Sequence, residues 1–132
     1  MDRTLFMLLA PDKKALNEKI SLGWQNRGDA EKIRIANNDV TGNLLFYALA
    51  EQEGLWFTPK QHLALYTKQI EKHFGQHDCF VFPIHVEQKP IGLIYCDRAI
   101  SHRALIAEDF SAAKHFAKQT QIGLTLYRMQ NH

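Results

Sequence analysis

The sequence predicts an α+β domain: one central antiparallel sheet of about six strands, with helices on both faces. Three observations carry this. Residues 79–86 and 89–98 are two apolar runs rich in aromatic and β-branched residues, flanking a short polar turn, as in a β-hairpin. Residues 107–129 form one long helical stretch with apolar residues at helical spacing. Residues 4–22 hold two further strand patterns around the turn Pro11-Asp12-Lys13-Lys14.

Taken in order, residues 4–10 read as a first strand and residues 15–22 as its partner, which Gly23 ends. Residues 24–29 read as a loop. In residues 31–36, Lys32-Ile33-Arg34-Ile35 alternates polar and apolar, as a half-buried third strand does. The cluster Asn37-Asn38-Asp39-Val40-Thr41-Gly42 supplies turn and capping residues. Asp39 or Thr41 can cap a helix over 42–53, with Leu44, Leu45, Ala48 and Leu49 on one face and Gly54 as its stop. Residues 55–58 form a short strand ended by Pro59. A second helix is predicted over 60–74, with Leu63, Tyr66, Ile70 and Phe74 in one stripe and Gly75 as its end. Residues 101–106 form a loop, and Glu108 and Asp109 suit the start of the last helix, where acids favour the helix dipole. The order is β β β α β α β β α, with no repeat or linker.

The 132 residues fit a single domain spanning 1–132. A hydrophobic share of 45% supplies a core, and 23% charged residues is ordinary for a globular protein. The net charge of +2 is too small to argue for nucleic acid, and no segment gathers a basic run. No window holds the ~18 apolar residues a membrane span needs. The apolar start is too short for a signal peptide, and Pro-Asp-Lys-Lys follows it where small cleavage-site residues belong. Two cysteines do not suggest a secreted disulfide framework, so a cytoplasmic location follows by default.

A two-residue turn at 87–88 pairs Val86 with Lys89, and one at 88–89 pairs Glu87 with Pro90; both divide the hairpin into the same two faces. One face carries Phe80, Phe82, Ile84, Val86, Ile91, Leu93 and Tyr95, a bulky bed for the long helix. The other carries Cys79, Val81, Pro83, His85, Gly92, Ile94, Cys96 and Arg98. It is smaller and more polar, which leaves room for a ligand beneath the helices at 42–53 and 60–74. Phe46, Trp56, His85, Cys96, Asp97 and Arg98 are the candidate ligand-binding residues. Simple packing is the competing reading of the same face.

The hairpin's Pro83-Ile84 and Ile91-Gly92-Leu93-Ile94-Tyr95-Cys96-Asp97-Arg98, then Glu108-Asp109-Phe110 opening a long helix, resemble the end of a GAF domain. The opening run 5–16, the following Leu22-Gly23-Trp24 and the step Gly54-Leu55-Trp56-Phe57 extend the resemblance over nearly the whole chain. The whole looks most like the GAF-like C-terminal region of bacterial HDOD-type signal transduction proteins, and PAS domains share a similar layout. The resemblance implies a GAF/PAS-like sheet and a non-catalytic sensory or regulatory module. It also implies an attached HDOD or other output domain. Two features depart from the family. A GAF domain usually begins with a helix that packs beside the last one, and this chain opens almost directly on a strand. Either the chain is a piece of a longer signalling protein or that helix is dispensable. The turn Glu87-Gln88 stands where the family often has Asn-Gly or Asp-Gly.

No motif implies a cofactor, a metal or a catalytic centre. His73 and His77 are four apart, but Gly75 between them ends the helix, and no further ligand sits at metal spacing. Cys79 and Cys96 read as two buried free thiols. Asp97-Arg98 reads either as a strand-end ion pair or as a ligand contact. The last helix has two apolar stripes. Ile106, Phe110, Ala113, Ala117, Leu124 and Tyr127 can cover the sheet. Phe116, Ile122, Leu126 and Met129 want another partner, and are the candidate homodimer interface. Three readings follow: a sensory module with a small-molecule ligand, a ligand-free interaction and dimerisation module, and a small cysteine-based redox enzyme.

Overall fold

The computed structural model describes residues 1–24 and 32–130. A six-stranded antiparallel sheet has the spatial order β3-β2-β1-β6-β5-β4. Its strands are β1 (Arg3–Leu9), β2 (Ala15–Leu22), β3 (Arg34–Ala36), β4 (Leu55–Phe57), β5 (Cys79–Val86) and β6 (Lys89–Asp97). The first and last strands pair at the centre. Short helices α1 (Leu44–Leu49), α2 (Pro59–His62) and α3 (Lys68–Phe74) lie between strands in sequence, and α4 (Ala107–Gln130) ends the fold.

Helices cover both faces and define two cores. On one face, Leu44, Leu45 and Ala48 of α1, and Ile70 and Phe74 of α3, pack on Leu5, Met7, Leu16, Val81, Leu93 and Tyr95. On the other, Phe110, Ala113, Ala117 and Leu124 of α4 pack on Phe80, Phe82, Ile84, Ile94 and Cys96.

The expected elements mostly form, with three local changes. The first helix is shorter than 42–53, and its cap is Asn43, whose Oδ1 accepts from the N–H groups of Leu45 and Phe46. Asp39 instead accepts from Asn43 Nδ2 at 2.9 Å and so orients that cap. The expected helix over 60–74 is broken. Thr58 caps α2, a 3₁₀ turn follows at Leu63–Leu65, and Thr67 caps α3. Thr67, inside the expected stretch, caps a new helix instead of continuing one ladder, and Leu63 of the expected stripe is exposed. The third strand is confined to Arg34–Ala36; Glu31 and the loop at 25–29 fall outside the described residues.

The larger correction concerns the hairpin faces. The turn is the two-residue one, with Glu87 and Gln88 both at positive φ. Pairing runs Val86 to Lys89 and His85 to Pro90, then shifts so that Ile84 faces Gly92. Ile91 is the extra residue of a β-bulge, and beyond it every β6 side chain changes side. Leu93 and Tyr95 therefore join Cys79 and Val81 beneath the short helices, while Ile94 and Cys96 join Phe80 and Phe82 beneath α4. Gly92 stands beside the bulge because its neighbour is so close: a Cβ there would lie 2.1 Å from the Met7 carbonyl oxygen. A second irregularity in β2, between the Phe6–Ile20 and Met7–Glu18 pairs, does the same. Leu16 lies in the short-helix core, whereas Ile20 and Leu22 emerge beside α4.

Candidate functional site

The six nominated ligand-binding residues are distributed over both faces of the sheet. Phe46 is half-buried on α1 against the short-helix core. Trp56 on the edge strand β4 stands edge-on to Phe80 at 5.1 Å and stacks on Phe110 at 6.4 Å, on the α4 side. His85 sits at the bulge, where its backbone N–H donates to Gln121 Oε1 of α4 at 2.7 Å. Cys96 is buried beneath α4. Asp97 is fully buried on the opposite face. The structure brings together Cys96 and Arg98, which border one groove along α4.

Asp97 and Arg98 do not pair with each other, as an isolated strand-end pair would. They face opposite ways and fasten two different elements. Arg3 Nη2 donates to Asp97 Oδ2 at 2.7 Å and to the Phe74 carbonyl at 2.6 Å, at the end of α3. Tyr95 Oη donates to the same carboxylate, as does the Ala99 N–H. The Arg3 guanidinium lies 4.8 Å from the centre of the Trp24 ring. A fully buried carboxylate is tolerable only with this many donors around it. Burial drives the Tyr95 hydroxyl well above its ordinary pKa, so it stays a donor.

Arg98 points to the other side. It donates to Asp109 Oδ1 at 2.7 Å and to the Ala104 carbonyl at 2.9 Å, closing the loop that leads into α4. Asp109 Oδ2 also accepts the Ile106 N–H, capping the helix start. The two neighbours thus link the interior of the domain to the first turn of its longest helix.

Along α4, two adjoining hollows of about 380 and 360 Å³ share Thr4, Leu22, Ile94 and Phe116. Their walls are largely apolar. Of the four candidate interface residues, Phe116 is 57%, Ile122 49%, Leu126 52% and Met129 67% exposed. Ile20 and Leu22 add exposed apolar surface across the groove from Phe116.

The space beneath the short helices is occupied by side chains. Tyr95, Phe57, Phe74, Ile70, Leu44 and Leu45 there are all fully buried. Cys79 and Cys96 are free thiols on opposite faces. Burial pushes Cys79 far up, and pushes Cys96 up to about 12, so neither is thiolate at neutral pH. Among the described residues, no three His, Cys, Asp or Glu groups are placed to hold a metal ion, and no helix is long and apolar enough to cross a membrane.

Sequence reasoning missed Arg3, Asp109 and Gln121 as positioning residues. Only Asp109 carried a local signal, as an acid at a helix start. Arg3 and Gln121 act across 94 and 36 residues of sequence, and nothing near either one announces its partner.

The family model of the GAF domain matches residues 1–124. No curated protein matches the chain. Among solved structures, the chain is similar to part of a methyl-accepting chemotaxis protein, with a TM-score of 0.76 and 15% identity, over 98% of this chain and 80% of that one. It is also similar to the GAF-B domain of DevS from Mycobacterium smegmatis, with a TM-score of 0.69 and 17% identity, over 98% and 84%. A third is the GAF domain/HD domain protein from Geobacter sulfurreducens, with a TM-score of 0.68 and 14% identity, over 99% and 83%.

Proposed function

The chain belongs to the GAF domain family, and we propose that it is a non-catalytic sensory or regulatory module of a bacterial signal transduction protein. It acts in the cytoplasm and relays its state through α4 to an attached output domain, an HDOD domain or another. It works as a homodimer through Phe116, Ile122, Leu126 and Met129.

The observation that carries this reading is the division of α4. One side is committed to the sheet through Phe110, Ala113, Ala117 and Leu124. Around the rest of the helix, Ile122, Leu126 and Met129 are large apolar side chains about half or more exposed, and Phe116 flanks the sheet-facing side. A helix with one partner inside the domain and an unfilled apolar side outside can couple the two by population shift. The high pKa values of both thiols favour this reading over the cysteine-based redox enzyme.

The signal is a small unidentified molecule in the leading reading. Arg98 is its most useful anchor, because a contact there reaches the α4 start through Asp109. A ligand-free interaction module is the second reading, and the filled space beneath the short helices favours it. Native mass spectrometry set against denaturing mass spectrometry of the same sample separates them. A dimer carrying mass lost on denaturation supports the ligand-bound module. A dimer of bare chains supports the second reading, and a bare monomer at high concentration overturns the α4 interface.

A further inference from the structure

A cleft of about 260 Å³ lies beyond the end of β6, between the residues that follow α3 and the loop before α4. His77 and Asp78 line one wall, and His102 and Arg103 the other, with Arg98 bordering the cleft. Arg103 and Asp78 bring one charge of each sign to the cleft, and Arg98 is shared with Asp109. The imidazole rings of His77 and His102 stand 6.3 Å apart across it. Rings this close leave no room for a group between them, but both can donate to neighbouring oxygens of one small oxyanion lying beside them.

The two walls are held differently. His77 is pinned by its own carbonyl, which accepts from Tyr66 Oη at 2.7 Å. Its ring lies against Gly75, where a Cβ would come within 2.7 Å of Nε2. The opposite wall is held by Arg98, whose Nη1 binds the Ala104 carbonyl and whose Nη2 binds Asp109. His102 has a φ of 56°, which turns the loop at that point. Arg103 is exposed, and among the described residues no ion pair or hydrogen bond holds its guanidinium.

We propose that this cleft binds the phosphate group of a small ligand, with Arg103, His102 and His77 as its donors. The proposal rests on the sensory reading for its purpose, since the loop it would tighten is the one that Arg98 and Asp109 join to α4. Binding itself is independent of that reading.

The charge balance at His77 gives a specific signature. Burial lowers its pKa, and Arg3 and His102 act in the same direction. The carboxylates of Asp97 and Asp78 oppose them. Arg98 and Arg103 are the other charged groups lining the cleft. A bound phosphate dianion adds negative charge beside a ring that is otherwise kept neutral, so it raises the His77 pKa.

The test is an NMR titration of the histidine ring signals of the whole chain with inorganic phosphate, then with glycerol 3-phosphate, at fixed ionic strength. Saturable shifts of His77 and His102 with both probes, and a higher His77 pKa in their presence, support a site for the phosphate group itself. Shifts with glycerol 3-phosphate alone support a site for a ligand-borne phosphate. Arg103→Ala, on an exposed side chain, is expected to weaken either response at least tenfold with the spectrum otherwise preserved. His102→Asn, a residue that tolerates positive φ, is expected to weaken it also. No saturable shift with either probe up to tens of millimolar overturns the proposal, and so does an Arg103→Ala response equal to that of the unsubstituted chain. Loss of dimerisation would overturn the sensory interface and leave this titration unaffected, so the two can fail separately.

Discussion

The backbone N–H of His85 and the side-chain amide oxygen of Gln121 meet at 2.7 Å, and this bond ties the bulge of the central hairpin to the middle of α4. The bulge breaks the pairing of β5 with β6 between Ile84 and His85. A donor next to a bulge needs a partner from elsewhere, and α4 supplies it.

Replacing Gln121 by Leu keeps the bulk and removes the acceptor. The expected loss is about 1–2 kcal/mol, the cost of leaving a part-buried N–H unpaired. Urea unfolding measures it, and faster hydrogen exchange at the His85 amide locates it.

Arg3 is the counterion of the buried Asp97 carboxylate. Arg3→Met leaves that charge, among the described residues, with Tyr95 and the Ala99 N–H as donors. The expected destabilisation is about 3 kcal/mol, in the range found when one partner of a buried pair is removed. Denaturant unfolding of Arg3→Met beside the double variant Arg3→Met/Asp97→Asn checks the cause. The double variant is expected to recover part of the loss, because no uncompensated charge remains.

Asp39 gives the fold a pH dependence on the acid side. Partial burial opposes its charge, but hydrogen bonds from Asn43, Thr67 and Gln69 outweigh that and hold its pKa below the ordinary value. A carboxylate with a depressed folded-state pKa contributes stability that is fully present above its unfolded pKa, near 3.9. That contribution fades as the pH falls through the folded value. Thermal melts of the unsubstituted chain and of Asp39→Ala should therefore differ at pH 6, and the difference should shrink as the pH falls through the folded value.

Both thiols are expected to resist alkylation in the folded protein. With Cys96 raised to about 12 and Cys79 higher still, the thiolate fraction at pH 7.5 is far below that of a free cysteine. Iodoacetamide labelling followed by mass spectrometry should stay slow until urea unfolds the chain, then modify both residues. Rapid labelling of either one in the native protein would revive the redox reading.

Much of this fold was legible because the pattern and the turn chemistry agree locally. The N-terminal hairpin around 11–14, the pair of strands at 79–97 and the α4 span all follow from short-range signals. The face assignment was not legible, since a single inserted residue, Ile91, reverses every later side chain of β6 while leaving its alternation intact. The same event around Lys19 moves Ile20 and Leu22 away from Leu16. The candidate pocket suffered most. Cys96 and His85 were grouped with Cys79 on a face that the bulge divides. Asp97 and Arg98 were nominated as neighbours, yet adjacent strand residues point apart. The break in the second helix was within reach of the sequence: Thr67 is a capping signal inside the stretch, masked by an apolar stripe.

The most direct test is light scattering of the purified chain across a wide concentration range, beside Leu126→Glu, a change confined to the exposed side of α4. The expected result is a two-chain mass for the unsubstituted protein and a one-chain mass for Leu126→Glu, with the far-UV spectrum unchanged. A one-chain mass for both proteins at high concentration would contradict the account.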